Sequence, residues 1–210
     1  MLNNIMLHSG QSQDLRIGLL GGSFNPAHSG HVHVSLQAMK QLKLDRVVWL
    51  VSPQNPLKSA QAMADYPQRL AHARALTASH PAIVVSSLER EIHSHYTLHT
   101  LRYLHAHYPR TAFTWLMGAD NLANFHHWRG WREIFQRVPV AVFDRAPFAH
   151  AALRSPAALS HAHARIATQH VPGLASRPAP AWGYVFMPRH GQSATHLRKT
   201  LGKDAFIRHN

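Results

Sequence analysis

The segment from residue 17 to residue 31 constrains the fold of this chain more than any other. It begins with the apolar run Ile17-Gly18-Leu19-Leu20, turns at Gly21-Gly22 and ends in His28-Ser29-Gly30-His31. Apolar residues then recur at helical spacing, at Val32, Leu36 and Met39. This pattern predicts a strand, a glycine turn and the start of a helix, an arrangement in which backbone N–H groups can face an anion.

The two histidines of this segment are spaced for joint action. His28 and His31 lie three residues apart, so they share one face if both stand in the first turn of the helix. Imidazole rings placed in this way can donate hydrogen bonds to phosphoryl oxygens. A chain with 20 histidines could produce such a pair by chance. The surrounding strand, turn and helix favour a phosphate site.

The rest of the chain alternates between apolar runs and helical patterns. Further strands are predicted at residues 46–51, 82–86, 111–117, 138–143 and 184–187, and helices at 65–78 and 97–107. Such alternation predicts an α/β fold: a Rossmann-like, open, mostly parallel sheet with helices on both faces and a short C-terminal helical segment. Residues 146–181 are rich in Ala, His and Pro, and we expect a helix and a mobile loop there.

Length and composition favour a single domain. With 210 residues and 45% hydrophobic content, residues 16–210 can fill one core, preceded by a flexible tail over residues 1–15. No apolar run approaches the ~20 residues of a membrane span, and no signal peptide is recognisable. The chain contains no cysteine. We therefore expect a cytoplasmic protein with no membrane partner.

The net charge of +13 favours anionic partners. The basic residues are scattered and lack the motifs of nucleic-acid-binding modules, so we expect a phosphate-rich substrate and not a nucleic acid. His105 and His107 are among several close histidine pairs, but there is no H-E-x-x-H motif, and we predict no metal site on the protein. The absence of a Walker A motif excludes a P-loop kinase.

Several polar motifs follow predicted strands. They are the glycine turn, Asn55-Pro56-Leu57-Lys58, Gly118-Ala119-Asp120 and the segment Ser193 to Arg198. Ligands of open α/β sheets bind beyond the carboxyl ends of the strands, where the strand order reverses. We therefore expect these motifs to form one site.

These motifs resemble a known family. Residues 21–31 are similar to the H-x-G-H signature of the nucleotidylyltransferase superfamily. From about Arg16 to the chain end, apart from the Ala- and His-rich section, the chain resembles the bacterial nicotinate-nucleotide adenylyltransferases. The segments that carry this second resemblance are Asn55-Pro56-Leu57-Lys58, residues 95–101, residues 118–122, residues 125–128 and residues 193–198. Asn25 stands where Asp is common in the family, and Ala194 lacks a hydroxyl often found there.

The resemblance implies a reaction and its participants. The adenylyl group of ATP would pass to nicotinate mononucleotide by in-line attack without a covalent enzyme intermediate, giving deamido-NAD and pyrophosphate. Mg2+ would enter with ATP, and the oligomeric state stays open, including a homo-oligomer. Phosphopantetheine adenylyltransferase is a weaker alternative, because that family usually carries Thr at the position of His28 and lacks the Tyr-Thr and Trp segments. A non-catalytic nucleotide- or nucleic-acid-binding protein and a histidine-rich metal-handling protein are the alternatives from other classes.

The resemblance also implies residue roles. His28 and His31 would be catalytic. The ATP site would comprise Gly21, Gly22, Ser23, Phe24, His28, His31, Gly118, Asp120, Ser193, Thr195 and Arg198. The nicotinate mononucleotide site would comprise Asn25, Lys58, Tyr96, Thr97, Trp128 and Arg129. Trp128 would stack on the pyridine ring, and Asp120 would bind the ATP ribose. A structural alternative for Asp120 is to cap the helix that follows it, and both roles could coexist.

Overall fold

All six strands form one parallel sheet in the computed structural model, which describes residues 15–53, 63–144 and 148–187. The strands are β1 (Arg16–Gly22), β2 (Arg46–Val51), β3 (Ile83–Ser86), β4 (Ala112–Gly118), β5 (Val140–Phe143) and β6 (Trp182–Val185). Their order is β3-β2-β1-β4-β5-β6. The direction of winding reverses between β1 and β4, and this is where α/β sheets of this order bind nucleotides.

Helices cover both faces of the sheet, as the sequence predicts. The α-helices are α1 (Ser29–Leu42), α2 (Tyr66–Leu76), α3 (Leu88–Glu91), α4 (Thr97–His107), α5 (Ala119–Asn124), α6 (Trp131–Arg137), α7 (Ala149–Leu153) and α8 (Pro156–Ser160). The 3-10 segments are Phe125–His127, Ala162–Ala164 and Thr168–Ser176. One core lies beneath α1, α2 and residues 168–176, and a second beneath α3 to α8. Both are built on the near-continuous apolar strands typical of a sheet buried on two sides.

The buried face of α1 differs from the predicted one. Val32 is buried, but Leu36 is 40% exposed, and the stripe continues through Ser35, Ala38 and Leu42. The reason is a polar contact inside the core: the Trp49 indole N–H donates to Ser35 Oγ over 2.8 Å. A small hydroxyl at this position satisfies the buried indole, so the face cannot be recognised from apolar spacing alone.

Two predictions for the second half of the chain need correction. Strand β6 begins at Trp182, two residues before the predicted start, because Trp182 is buried and its indole N–H donates to the His161 carbonyl. Residues 149–176 are also not a helix and a loop. Two short helices there pack mainly on α5, and of the two 3-10 segments the one at residues 168–176 packs on the sheet, since alanines can approach other elements closely without helical periodicity.

Some predicted features lie outside the described residues. These are the N-terminal tail apart from Leu15, Lys58, and the C-terminal segment with Ser193, Thr195 and Arg198. Within residues 15–53, 63–144 and 148–187, no helix combines the length and apolar character that crossing a bilayer requires.

Candidate active site

The carboxyl ends of β1 and β4 stand side by side at one edge of the sheet. Gly21 and Gly22, predicted to form a turn, are instead the last two residues of β1, and the chain turns after them. Leu20 pairs with Leu116 in register, so this turn after β1 and the start of α5 after β4 share one edge of the sheet. The turn leads directly into α1, whose N-terminus points its backbone N–H groups toward the same region. The predicted convergence of the glycine turn with Gly118-Ala119-Asp120 is therefore present.

His28 and His31 form a reciprocal cap at the N-terminus of α1. His28 is the N-cap residue, and its Nδ1 accepts the Gly30 N–H over 3.1 Å. His31 Nδ1 in turn accepts the His28 N–H over 3.2 Å. The two ring centroids lie 3.9 Å apart. This is the arrangement of a capping box, built here from two imidazoles in place of a hydroxyl and a carboxylate.

The cap determines which ring nitrogen can serve a ligand. Because Nδ1 of each histidine accepts a backbone N–H, a neutral ring must carry its hydrogen on Nε2. We assign this tautomer from the hydrogen bonds. His28 and His31 therefore present Nε2–H groups, which donate to an anion without any change of protonation. The same bonds fix the ring orientations that such donation needs.

Aromatic packing holds the turn against the sheet. Phe24 is 2% exposed and stacks on Trp49 with centroids 4.8 Å apart and an interplanar angle of 13°. Its ring also lies 4.9 Å from that of His31. Phe24 adopts φ +46°, which is costly for a bulky side chain. The stacked rings hold the Phe24 side chain in place and offset part of this cost.

Gly21 has a packing role in addition to the predicted approach to phosphate. A Cβ at Gly21 would lie 2.6 Å from the Trp115 ring, so only glycine lets that indole lie across β1. Trp115 is 1% exposed and also meets Trp128 edge to face, with centroids 6.2 Å apart. Trp115 therefore contacts both Gly21, near the end of β1, and Trp128, the residue predicted to stack on the acceptor.

Four of the six residues predicted to bind the acceptor lie together on the far side of Trp115. Tyr96 immediately precedes α4, and Thr97 is its first residue. The guanidinium of Arg129 lies 4.8 Å from the centre of the Tyr96 ring. Trp128 is partly buried and packs against Phe125 at 5.0 Å. Tyr96, Thr97, Trp128 and Arg129 are separated by a long stretch of sequence, and the fold brings them to one place.

Gly130 makes this arrangement possible. Its φ of +68° lies in the left-handed region, and a Cβ there would overlap Leu98 Cδ2. Glycine at this point lets the turn that carries Trp128 and Arg129 sit against the first turn of α4.

Asp120 is a residue of α5 and not its cap. Gly118 occupies the N-cap position and Ala119 begins the helix, so the capping alternative for Asp120 is wrong. The Oδ1 atom of Asp120 is buried, and its negative charge stands in the first turn, where the helix dipole favours it. The role in ribose binding stays a prediction.

Helix α2 and the residues just before it make polar contacts with residues 23–27, the turn between β1 and α1. Asn25, which we expected to bind the acceptor, is 8% exposed and its Oδ1 accepts the Ala64 N–H over 3.1 Å. His72 Nε2 lies 3.0 Å from the Ala27 carbonyl. Asn25 thus contributes to the placement of the turn, and this contact is one that the sequence analysis missed.

Arg69 is the functional candidate that sequence reasoning missed entirely. It is 1% exposed, and its guanidinium donates to the carbonyls of Ser23, Ser52 (2.9 Å), Pro53 (2.9 Å) and Ala64 (3.0 Å). Charged residues are rarely this buried. A signal was present: Arg69 falls on the face of the predicted helix that also carries Ala73, where a solvated arginine is out of place.

Glu89 is a second buried charged group near the acceptor side. It stands in α3, is 6% exposed and accepts the Thr100 hydroxyl over 3.2 Å. Burial raises the pKa of Glu89 to about 7, although the hydrogen bond from Thr100 acts in the opposite direction. The bond ties α3 to the helix that begins with Thr97.

The described residues offer no protein cage for a metal ion. Within residues 15–53, 63–144 and 148–187, no three histidine or carboxylate side chains gather at ligand distance. The site consists of hydrogen-bond donors, aromatic rings and a helix N-terminus. This chemistry suits phosphates and flat heterocycles.

Comparisons with known proteins agree with this geometry. The family model described as cytidylyltransferase-like matches residues 19–200. A Caulobacter protein named "probable nicotinate-nucleotide adenylyltransferase" is 50% identical over 88% of this chain and 97% of its own length. A Bradyrhizobium protein of the same name is 47% identical over 90% and 97%.

A solved structure of Plasmodium falciparum nicotinic acid mononucleotide adenylyltransferase, complexed with NaAD, shares the fold. Its TM-score is 0.65 at 16% identity, and the match covers 90% of this chain and 85% of that one. The family follows from the closer relatives, which match nearly their full length at about half identity. This chain belongs to the nicotinate-nucleotide adenylyltransferase family of nucleotidyltransferases.

Proposed function

We propose that this protein transfers the adenylyl group of ATP to nicotinate mononucleotide, forming deamido-NAD and pyrophosphate in NAD biosynthesis. The observation that carries the proposal is the paired imidazole cap of α1, joined through Trp115 to the aromatic acceptor side. Relatives of about 50% identity bear the name of this activity.

The chemistry requires no nucleophile from the protein. The phosphate of nicotinate mononucleotide is an anion at neutral pH, and one of its oxygens attacks the α-phosphorus of ATP. The bond from the α-phosphorus to the bridging oxygen breaks, and pyrophosphate leaves with the electron pair. The protein aligns the reactants and stabilises charge that develops on the phosphoryl oxygens.

The donors for that charge are the residues of the β1 edge. In this proposal the Nε2–H groups of His28 and His31 donate to the triphosphate, together with the backbone N–H groups of Ser23 and Phe24 in the turn after β1 and the N-terminus of α1. Asp120 accepts hydrogen bonds from the ATP ribose. Lys58, Ser193, Thr195 and Arg198 lie outside the described residues and add further phosphate contacts in this proposal.

The acceptor occupies the far side of Trp115. Trp128 stacks on the pyridine ring, and backbone N–H groups at Thr97 and Arg129 bind the nicotinate carboxylate. The amide of nicotinamide carries no such charge, so these donors prefer the acid.

Mg2+ enters as part of the ATP substrate in this proposal. Since the described residues gather no ligand set, phosphate oxygens and water hold the ion. The cytoplasmic location and the absence of nucleic-acid and membrane partners stay predictions.

The test is to supply purified protein with ATP, Mg2+ and nicotinate mononucleotide, and to follow pyrophosphate and deamido-NAD. We expect both products in equal amounts and slower turnover with nicotinamide mononucleotide. Turnover with phosphopantetheine alone would assign the chain to the other adenylyltransferase. ATP binding without turnover on any acceptor would show a non-catalytic nucleotide-binding protein.

A further inference from the structure

We propose that Arg69 is a positioning residue for the nucleotide site: it fixes the direction of the Ser23–Phe24 peptide, and so aims the Phe24 N–H at the triphosphate. The proposal rests on the proposed function for the identity of the triphosphate. Its geometry is independent of that function, because every contact that carries it is made within the protein.

Arg69 joins the ends of two neighbouring strands. Its guanidinium donates hydrogen bonds to the carbonyls of Ser23, directly after β1, and of Ser52 and Pro53, directly after β2. A planar guanidinium presents its N–H donors in fixed directions, so carbonyls that bind it together cannot turn independently. Arg69 thereby holds together the chain segments that follow β1 and β2. The Ser52 N–H adds a direct bond to the Gly22 carbonyl over 2.9 Å.

Arg69 holds the peptide that joins Ser23 to Phe24 in one direction. In a trans peptide unit the C=O and the N–H point in opposite directions. The Ser23 carbonyl faces Arg69, so the Phe24 N–H of the same peptide points away from Arg69 and α2. Phe24 is one of the donors that the phosphate site requires, and Arg69 is the group that sets its direction.

The backbone conformation of Phe24 explains why a buried cation is needed here. Phe24 has φ +46°, a conformation that a bulky residue holds only when its surroundings enforce it. The stacking of Phe24 on Trp49 fixes the side chain, but it does not fix the peptide plane before it. A hydrogen bond from a charged donor to the Ser23 carbonyl does fix that plane, and it is stronger than a neutral one.

The variants that test this are Arg69→Gln and Arg69→Lys, with Arg74→Gln as the control. Arg74 lies on the same helix but is exposed, so its loss removes the same charge without touching the turn. The readout is the affinity for ATP measured by calorimetry without any acceptor, which needs no turnover. Failure of the proposed reaction would therefore leave this test intact.

We expect Arg69→Gln to weaken ATP binding by at least ~10-fold and Arg74→Gln by less than ~3-fold, in line with the loss of charge-assisted hydrogen bonds. Arg69→Lys keeps the charge but cannot reach several carbonyls in one plane, so it should recover little. Full recovery by lysine would overturn the orientation argument in favour of charge alone. Unchanged ATP affinity in a folded Arg69→Gln protein would overturn the proposal outright.

A measurement on the unmodified protein covers the case in which the variants do not fold. In a 15N-labelled sample, ATP should shift the Phe24 amide resonance and slow its exchange with deuterium. The Val48 amide, inside the sheet, should change in neither respect. A Phe24 amide that ignores ATP would contradict the role assigned to Arg69.

Discussion

The two sides of Trp115 are built on different principles. On the β1 side, His28, His31 and Arg69 are joined to the backbone by hydrogen bonds, and His28 and Arg69 are fully buried. On the acceptor side, Trp128 and Arg129 are held by ring contacts, and Arg129 is exposed. Phosphoryl transfer loses rate steeply when atoms are misplaced, whereas ring stacking tolerates small shifts. The difference suggests that the β1 side governs rate and the other side governs affinity for the acceptor.

The largest effect is expected from His31→Ala, on the β1 side. Removing one donor to the developing charge should lower kcat by at least ~10²-fold, with a smaller change in the KM for nicotinate mononucleotide. Steady-state kinetics with both substrates measure this. His33→Ala, two residues further along α1 and on a different helix face, is the control. Near-normal kcat in the His31 variant would remove the imidazole from the reaction.

Trp128→Ala should show the reverse pattern. Loss of the stacked indole should weaken binding of nicotinate mononucleotide by ~10-fold while kcat changes less. Trp128→Phe keeps a flat ring and should recover most of the affinity. The measurement is equilibrium binding of the mononucleotide. If the affinity does not change in the alanine variant, Trp128 does not contact the acceptor.

Gly130→Ala probes what holds the acceptor side in place. The positive φ and the overlap with Leu98 should lower the free energy of unfolding by about 1 to 3 kcal/mol. Gly173→Ala is a matched control, since a Cβ there meets nothing within 4 Å. Denaturant titration of both variants compares them. Equal stability of the two would show that the turn at Gly130 relaxes freely.

Glu89 gives an effect that depends on pH. Its folded-state pKa of about 7 is above the unfolded value of 4.5, so the folded protein retains a proton that the unfolded chain has lost between these values. Stability therefore falls as pH rises through this window and levels off above about 7. Glu89→Gln removes the titrating group.

The difference in unfolding free energy between Glu89→Gln and the unmodified protein should thus grow in favour of glutamine from about pH 5 to about pH 8. We expect a change of no more than about 3 kcal/mol. Thermal unfolding across this range measures it, and groups that titrate in both proteins cancel. A difference that stays constant with pH would place the pKa of Glu89 near its ordinary value.

The sequence predicts the helices and strands of this molecule well, and the side-chain contacts between distant segments poorly. Helix α4 and strand β2 begin and end where the apolar pattern predicts, because that pattern decides the secondary structure of both segments. The histidine pair is equally readable, since its members lie within one turn. Helical spacing places Arg69 on the buried face beside Ala73, but it does not identify the contacts of Arg69. Its partners come from two strand ends that meet only in the folded sheet, so no local pattern predicts them.

The stereochemical course at the α-phosphorus distinguishes a single displacement from a double one. In a single in-line displacement, the acceptor phosphate, held on the Trp128 side, attacks ATP held at the His28 and His31 cap. With an ATP analogue that carries sulfur in place of one α-oxygen in a single configuration, we predict complete inversion in the dinucleotide product. Retention would require a second displacement through a group on the protein and would contradict the direct joining of two aligned nucleotides.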